Sequence, residues 1–480
     1  MPGVEVPRKW DHEADVIIVG GGTAGLPAAI TVAEAGLKAT VLETKPACGG
    51  SFNMVAGAFA IAGSDEQKEL GIEDGPDLVY DDLVNVSGAL PEVARAFADN
   101  QLDAYKMLKE QGIKFPGIVP HPCHSRPRCL GWLQGLGPKL VRALEDRARK
   151  TGVEILFRHR AARLIRDPQT GKIIGLTVDV KDETKNFKAK RAVILATGGF
   201  GHNKEMIAEY EPEMVRGFPK MPNSHQGDGL KMALAMGAAT KDIGIAVAPS
   251  WPLCIETHSN AIWLLDYGAI AVNKYGKRFH NEASMEGFYG PLTGIGMRQP
   301  DGVYWIVYND KIKDQVGTVD LVGKEGKTER NAEQIKSIEQ CKQYKANTIE
   351  ELAESAGIDT KGLKETVGKY NSDIDSMGYD TVFGRKFQFG EMRPVVKIDV
   401  PPFSSIKCIT SITSMKGGLK INGRSQVLNQ YDEAIPGLYA AGEIIGGLNT
   451  KTYLLGVMTS SCMTFGIIAG RNAVKEPAWQ

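Results

Sequence analysis

The chain has no C-x-x-C pair and no C-x-x-C-H haem attachment, although it holds seven cysteines. Cys48, Cys123, Cys129, Cys254, Cys341, Cys408 and Cys462 are scattered and odd in number, which reads as idle or buried thiols of a reducing compartment. There is no basic block and no acidic tail. Lys plus Arg equals Asp plus Glu at 57 each, so nucleic acid is not an expected partner. No stretch approaches the ~20 apolar residues of a membrane span. The first apolar run, Val16 to Val19, is too short for a signal core, and no twin-arginine leader precedes it. These absences give the expectation of a soluble cytoplasmic protein with no transmembrane segment. Internal repeats and low-complexity tracts are absent too. What remains is a chain of 480 residues, 42% hydrophobic, long enough for two or three domains with full cores.

Gly and Pro together make about a sixth of the chain, above the usual ~12%. That suits tight turns and close backbone approaches to a ligand. The N-terminal stretch 14-ADVIIVGGGTAGLPAAITVAEAGLKATVLETK-45 carries the clearest pattern. A short β-branched run leads into a Gly turn, a small apolar helix and a second buried strand. Gly20, Gly22 and Gly25 form G-x-G-x-x-G. The first glycine allows the tight turn, the second admits a pyrophosphate, and the third lets helix pack on strand. The helix N-terminus then offers free N–H groups to phosphate. Glu43 ends the second strand 21 residues after Gly22, where a carboxylate accepts from ribose hydroxyls. Strand, helix and acid in one register point to dinucleotide binding rather than a bare βα turn. Two further segments, 194-ILATGGFG-201 and 436-PGLYAAGE-443, return to the same style, and no second complete G-x-G-x-x-G exists for a nicotinamide. FAD is the expected dinucleotide.

Helices are expected near 92–112 and 138–152, and strands over 153–167 and 173–180. Residues 243–403 differ in style, with irregular aromatic loops followed by polar helical segments over 329–345 and 350–357. They read as a separate lobe, so the domains are 1–242 plus 404–480 for the cofactor and 243–403 as a cap. The fold class is α/β: a two-dinucleotide-binding-type, Rossmann-like FAD domain with an inserted α+β capping domain.

The motifs 20-GGGTAG-25, 49-GGSFNMVAGAFA-60, 194-ILATGGFGHN-203, 227-GDG-229, 276-GKRFHNEAS-284, 401-PPFSSIK-407, 417-GGLKIN-422 and 437-GLYAAGE-443 run in order over almost the whole chain. With them the chain resembles the fumarate reductase/succinate dehydrogenase flavoprotein superfamily. The resemblance implies cofactor contacts at Gly20, Gly22, Ala24, Gly25, Glu43, Thr44, Gly49, Gly50, Ser51, Thr197, Gly198, Asp228, Gly442, Glu443 and Met458. The final helix would point its N-terminus at the flavin pyrimidine. Ser51 stands where membrane-bound relatives carry the histidine that bonds to FAD, so the flavin is expected to be non-covalent. An active site would lie where FAD domain and cap meet.

Dicarboxylate reductases of that family carry N-R-L-G-G near the C-terminus; here 452-TYLLG-456 puts Tyr453 at the arginine. Their H-T-M-G-G histidine falls nearest Ser414 in 413-TSMKGG-418, and their proton-donating arginine falls on Glu286. The segment 261-AIWLLDYGAI-270 is largely apolar. A buried dicarboxylate without paired cations carries a heavy desolvation penalty. The pattern is similar to the 3-ketosteroid dehydrogenase or enone reductase branch. That likeness implies that Tyr453 and the Val457 amide polarise the ketone of a neutral α,β-unsaturated substrate. Glu286 or Tyr289 would handle the proton, and Trp263 would line the site. The alternative is a carboxylated alkene held by Lys451 or Arg126, with Lys416 in reserve. A flavin electron carrier without alkene chemistry is the reading from another class. His280, inside R-F-x-N-E, reads as a satisfied structural histidine. The loop 121-HPCHSRPRCLG-131, with His121, Cys123, His124 and Cys129, lacks the tight pairs of a zinc site and reads as an active-site wall. No metal is expected. Substrate, direction and the external electron donor or acceptor are not legible.

Overall fold

A computed structural model of the chain describes residues 6–54, 58–119, 124–131, 136–243, 251–283, 292–320, 322, 328–330, 332–388 and 393–479. The elements used below follow in chain order. They begin with β1 (His12–Val19), α1 (Gly25–Glu34), β2 (Ala39–Glu43), β3 (Phe59–Ala60), α2 (Pro91–Glu110) and β4 (Cys129–Leu130). Next come β5 (Glu154–Phe157), β6 (Arg160–Arg166), β7 (Ile173–Val180), β8 (Glu183–Leu195) and α3 (Asp228–Ala235). Then follow β9 (Pro252–Cys254), α4 (Ile262–Asp266), β10 (Ile270–Val272), β11 (Val303–Asn309), β12 (Tyr344–Ala346), α5 (Thr360–Met377) and β13 (Phe403–Ile412). The last are β14 (Gln426–Leu428), β15 (Ala434–Ala440) and α6 (Val457–Ala473).

Two units emerge from how the chain folds on itself: 1–206 with 221–245 and 415–480, and 207–220 with 246–414. The first is built on an eight-stranded sheet in the order β14-β15-β8-β1-β2-β5, with β7 added on β8 and β6 on β7. β1 pairs in parallel with both β2 and β8, and β15 pairs in parallel with β8. All three Gly-turn segments of the sequence therefore end on neighbouring strands. Val16, Ile17 and Ile18 are fully buried, and each contributes about 1.5–3 kcal/mol of apolar burial. Helices α1 and α6 pack backbone to backbone. A Cβ on Gly466 would lie 2.2 Å from Ala24 O, and one on Gly470 2.8 Å from Ala28 O. The C-terminal helix is thereby brought onto the nucleotide-binding helix.

The second unit is organised on a six-stranded sheet in which β13 is central, pairing antiparallel with β9, β11 and β12, while β10 adds to β11. Its extent differs from the sequence reading at two places. β13 runs unbroken to Ile412, past the expected boundary at 404. The strand Phe218–Pro219 pairs with Ser411 and Ile412, which brings 207–220 into this unit. The polar segment expected to be one helix over 329–345 is a strand (Thr328–Arg330), a helix (Ala332–Glu339) and β12.

The R-F-x-N-E motif is the charged core of this unit. Glu282 is 1% exposed and accepts from Arg278 Nη2 at 2.6 Å, Arg385 Nη1 at 3.3 Å and the Ala271 amide at 3.0 Å. Arg278 reaches Asp380 at 2.8 Å on its other nitrogen. Burial pushes the Glu282 carboxyl up, but the two guanidinium groups outweigh it and hold it at about 2.

Candidate active site

The turn between β1 and α1 has three glycines with three different constraints. Gly20 has φ +111°, and a Cβ there would sit 2.3 Å from Ala196 O on the neighbouring strand. A Cβ on Gly25 would lie 1.9 Å from Gly20 O, so α1 begins hard against the end of β1. Gly22 is different: its nearest neighbour would be Gly49 O at 3.9 Å. That glycine faces open space, as a pyrophosphate path requires. Glu43 is buried, and its carboxylate accepts from the Gly21 amide at 2.9 Å and the Lys45 amide at 2.8 Å. Burial pushes its pKa up, opposed by those amides. The acid expected to take ribose hydroxyls thus also braces the phosphate loop. Thr44 beside it is exposed. Ala24 is buried, where a Cβ on Gly442 would come within 2.9 Å of its own.

The segment after β2 runs along this turn, with the Gly49 amide donating to Gly21 O at 2.9 Å. Gly49 (φ +132°) closes on Asn53, while Gly50 (φ +55°) meets nothing within 4 Å. Ser51 Oγ lies 3.1 Å from His225 Nε2, and His225 Nδ1 lies 3.7 Å from Glu443 Oε2. Glu443 Oε1 accepts from the Met415 amide at 2.8 Å. Gly198, with φ +72°, leaves room for the His225 ring, which a Cβ would meet at 2.7 Å. Thr197 Oγ1 is buried without a partner. His225 went unnoticed in the sequence, although it sits two residues ahead of 227-GDG-229; the contact that matters spans 174 residues.

A cleft opens at this end of the first unit, walled by Gly442, Glu443, Lys416, Met458, Ser461 and Cys462 among others. Lys416 is 3% exposed. The half-buried Met458 lies on the first turn of α6. An open glycine face, an orphaned buried hydroxyl and a cleft at a helix N-terminus fit a dinucleotide cofactor.

Asp228 has a protein partner in addition to its expected role. Its carboxylate is held bidentately by Arg160, Nε at 2.9 Å and Nη2 at 2.8 Å. The ion pair joins α3 to β6. The Val457 amide, expected to face the ketone, has a backbone partner. It donates to Leu454 O at 3.1 Å, closing the turn that starts α6, and Val457 is buried. The donor that meets Tyr453 is the Gly456 amide. Gly456 has φ +81°, and a Cβ there would strike Ala60 N at 2.5 Å on β3. Burial of the half-exposed Tyr453's hydroxyl, beside Cys129 and Cys462, raises its pKa and keeps it a neutral phenol.

Lys451 and Arg126 are exposed. The Lys451 stem packs on Gly88, and Arg126 Nη1 donates to Ser125 O at 2.9 Å. In the second unit, Ile262, Leu264 and Leu265 are core residues rather than pocket lining. Trp263 is half-buried, tilted against Trp251 with centroids 6.1 Å apart. His280 is not the satisfied histidine expected. It is 5% exposed, neither ring nitrogen has a hydrogen-bond partner, and burial lowers its pKa to about 4. Glu286, Tyr289, His121 and Cys123 lie outside the described residues. Among the described residues no group of His, Cys, Asp or Glu is arranged to hold a metal, and no helix is long and apolar enough to cross a membrane.

A family model described as an FAD binding domain matches residues 15–457, and the chain belongs to this FAD-binding family. Over 469 residues it is 28% identical to the fumarate reductase (cytochrome) of Shewanella frigidimarina, covering 96% of this chain and 77% of that one. Over 497 residues it is 28% identical to the vinyl phenol reductase of Lactiplantibacillus plantarum, covering 97% and 96%. It shares its fold with the 3-ketosteroid-Δ4-(5α)-dehydrogenase of Rhodococcus jostii, at TM-score 0.77, 23% identity and 99% coverage of each chain. The protein is an FAD-dependent oxidoreductase of carbon–carbon double bonds or CH–CH groups.

Proposed function

We propose that the substrate is a neutral alkene conjugated to a ketone, and that the Tyr453 hydroxyl, itself held by the Gly456 amide, polarises the ketone oxygen. The observation that carries this reading is the state of Tyr453. It replaces a fixed cation with a neutral phenol, paired with a backbone N–H beside Cys462, which walls the cleft. FAD, when bound, supplies an N5 centre that exchanges hydride with carbon. The protein's part is to stabilise negative charge as it develops on oxygen, where neutral donors aimed at the oxygen lower the barrier. A neutral donor of this kind needs no charged substrate and avoids the desolvation cost of a carboxylate. Glu286 and Tyr289 are the two candidates to carry the proton of the α-carbon. Ser51 bears no imidazole, so the flavin is held non-covalently.

A carboxylated alkene is the second reading, favoured by the buried Lys416 on the cleft wall. The exposed Lys451 and Arg126 support it less, because exposed cations give little binding energy. The deciding experiment is anaerobic. The FAD-loaded protein is reduced and mixed with 4-androstene-3,17-dione, 4-vinylphenol or fumarate while flavin absorbance is followed. Reoxidation by the enone, slowed about 10²-fold in Tyr453→Phe, is the expected result. Reoxidation by fumarate alone, indifferent to Tyr453→Phe and lost in Lys416→Met, would establish the second reading instead. Oxidation by none of the three would leave electron carriage as the function.

A further inference from the structure

Two side chains of one loop converge on a single peptide. His124 Nε2 lies 2.9 Å from Leu455 O, and Cys129 Sγ donates to the same oxygen at 3.2 Å. The N–H of that same peptide belongs to Gly456, the amide that meets the Tyr453 hydroxyl. A trans peptide is planar, with its C=O and N–H pointing in opposite directions. Holding the oxygen therefore aims the hydrogen. Left free, such a plane rotates when the ψ before it and the φ after it move together, and a glycine after it makes that rotation easy.

The loop that supplies the two donors is itself pinned. Arg128 is 1% exposed, with Nε and Nη2 on the two oxygens of Asp74 at 2.9 and 3.0 Å and Nη1 on Asp82 Oδ2 at 2.5 Å. The same Asp82 oxygen accepts from the Ser125 amide and hydroxyl, each at 3.0 Å. Cys129 begins β4, which pairs with β3, and β3 is the strand against which Gly456 is seated. His124 is 8% exposed; burial, then the nearby Arg128 charge, lowers its pKa to about 4. At neutral pH the ring carries one N–H, and a carbonyl only accepts, so that hydrogen is on Nε2.

We propose that His124, assisted by Cys129, is a positioning residue that sets the Leu455–Gly456 peptide and thereby keeps the Gly456 N–H on the Tyr453 hydroxyl oxygen, which fixes that hydroxyl in place. This rests on the reading of Tyr453 given above. No contact between His124 and substrate is involved.

The test needs no substrate at its first stage. Amide hydrogen exchange of the FAD-loaded protein, read by mass spectrometry over 449–461, is expected to quicken at Gly456 at least tenfold in His124→Leu. In His124→Gln, which keeps an N–H donor, it is expected to stay near the wild-type rate. Equal protection in all three would overturn the clamp. The second stage uses 4-androstene-3,17-dione as probe. His124→Leu is expected to lower kcat about tenfold with KM changed less than twofold, and His124→Gln to recover most of it. The double variant with Tyr453→Phe should be no slower than Tyr453→Phe alone. Losses that multiply in the double variant overturn the clamp. A normal rate in Tyr453→Phe alone overturns the donor reading on which it stands. Should His124→Leu fail to load FAD, Cys129→Ala removes the second donor and is expected to lose two- to threefold with the same non-additivity.

Discussion

The Ser51 hydroxyl and the His225 ring stand 3.1 Å apart, with Glu443 3.7 Å beyond on the ring's other side. Three segments far apart in the chain thus share one polar line through the cofactor site. His225 is 4% exposed, so its imidazole is held by packing as well as by its partners. Replacing it with Leu removes the ring from between two cofactor-site side chains. His225→Leu is expected to weaken FAD binding about tenfold, the cost of one net hydrogen bond, and to leave the apo fold intact. Fluorescence titration of apoprotein with FAD reads this directly; unchanged affinity would make His225 a packing residue.

The three glycines of the first turn make separable predictions. Gly25→Ala drives a Cβ to 1.9 Å from Gly20 O, and overpacking of this kind costs about 1–3 kcal/mol. The apoprotein should melt lower. In Gly22→Ala the Cβ has its nearest neighbour at 3.9 Å, so apo melting should stay within about 0.5 kcal/mol of wild type while FAD affinity falls as the methyl stands in the phosphate path. Equal effects of both substitutions on melting and affinity would remove the distinction.

Much of this was legible because it is local. The β1–α1–β2 pattern, its glycines and Glu43 all fall within 32 residues, so periodicity and spacing report it. The two later returns to the sheet read equally well, since each ends a buried strand in small residues. What stayed hidden lies in contacts that no spacing encodes. Arg128 is paired with Asp74 and Asp82, 54 and 46 residues away. Asp228 also pairs with Arg160, 68 residues away on another element. The Val457 amide donates to Leu454 O in the turn that starts the helix, a partner that no spacing announces. The apolar run 261–270 contributes Ile262, Leu264 and Leu265 to the core; composition alone does not distinguish core from pocket.

Acid should destabilise the second unit through Glu282. Its folded pKa, about 2, lies below the unfolded value of 4.5. The depressed carboxyl contributes stability that is full above pH 4.5 and is lost as pH falls towards 2. Melting temperature is therefore expected to drop through that window, and Glu282→Gln should flatten the drop. At neutral pH the same substitution leaves Arg278 and Arg385 buried without their shared anion, at about 3–5 kcal/mol. A variant that melts like wild type at pH 7 and keeps the acid slope would show that these charges are solvated in solution.

Lys416 decides between two uses of one charge. It is 3% exposed and lines the cleft with Glu443 and the first turn of α6. A cation on the wall nearest the flavin ring favours the reduced, more negative cofactor and raises its potential. A cation aimed instead at a substrate carboxylate leaves the potential alone and sets affinity for the acid. Lys416→Met is expected to lower the two-electron potential of the bound flavin. A tenfold change in the oxidised-to-reduced ratio corresponds to about 30 mV. Reductive titration against a reference dye, with no substrate present, measures it. An unchanged potential together with lost fumarate affinity would assign Lys416 to a carboxylate and turn the function towards acidic alkenes. A lowered potential with enone turnover retained would place the charge behind the cofactor and leave Tyr453 to meet the substrate.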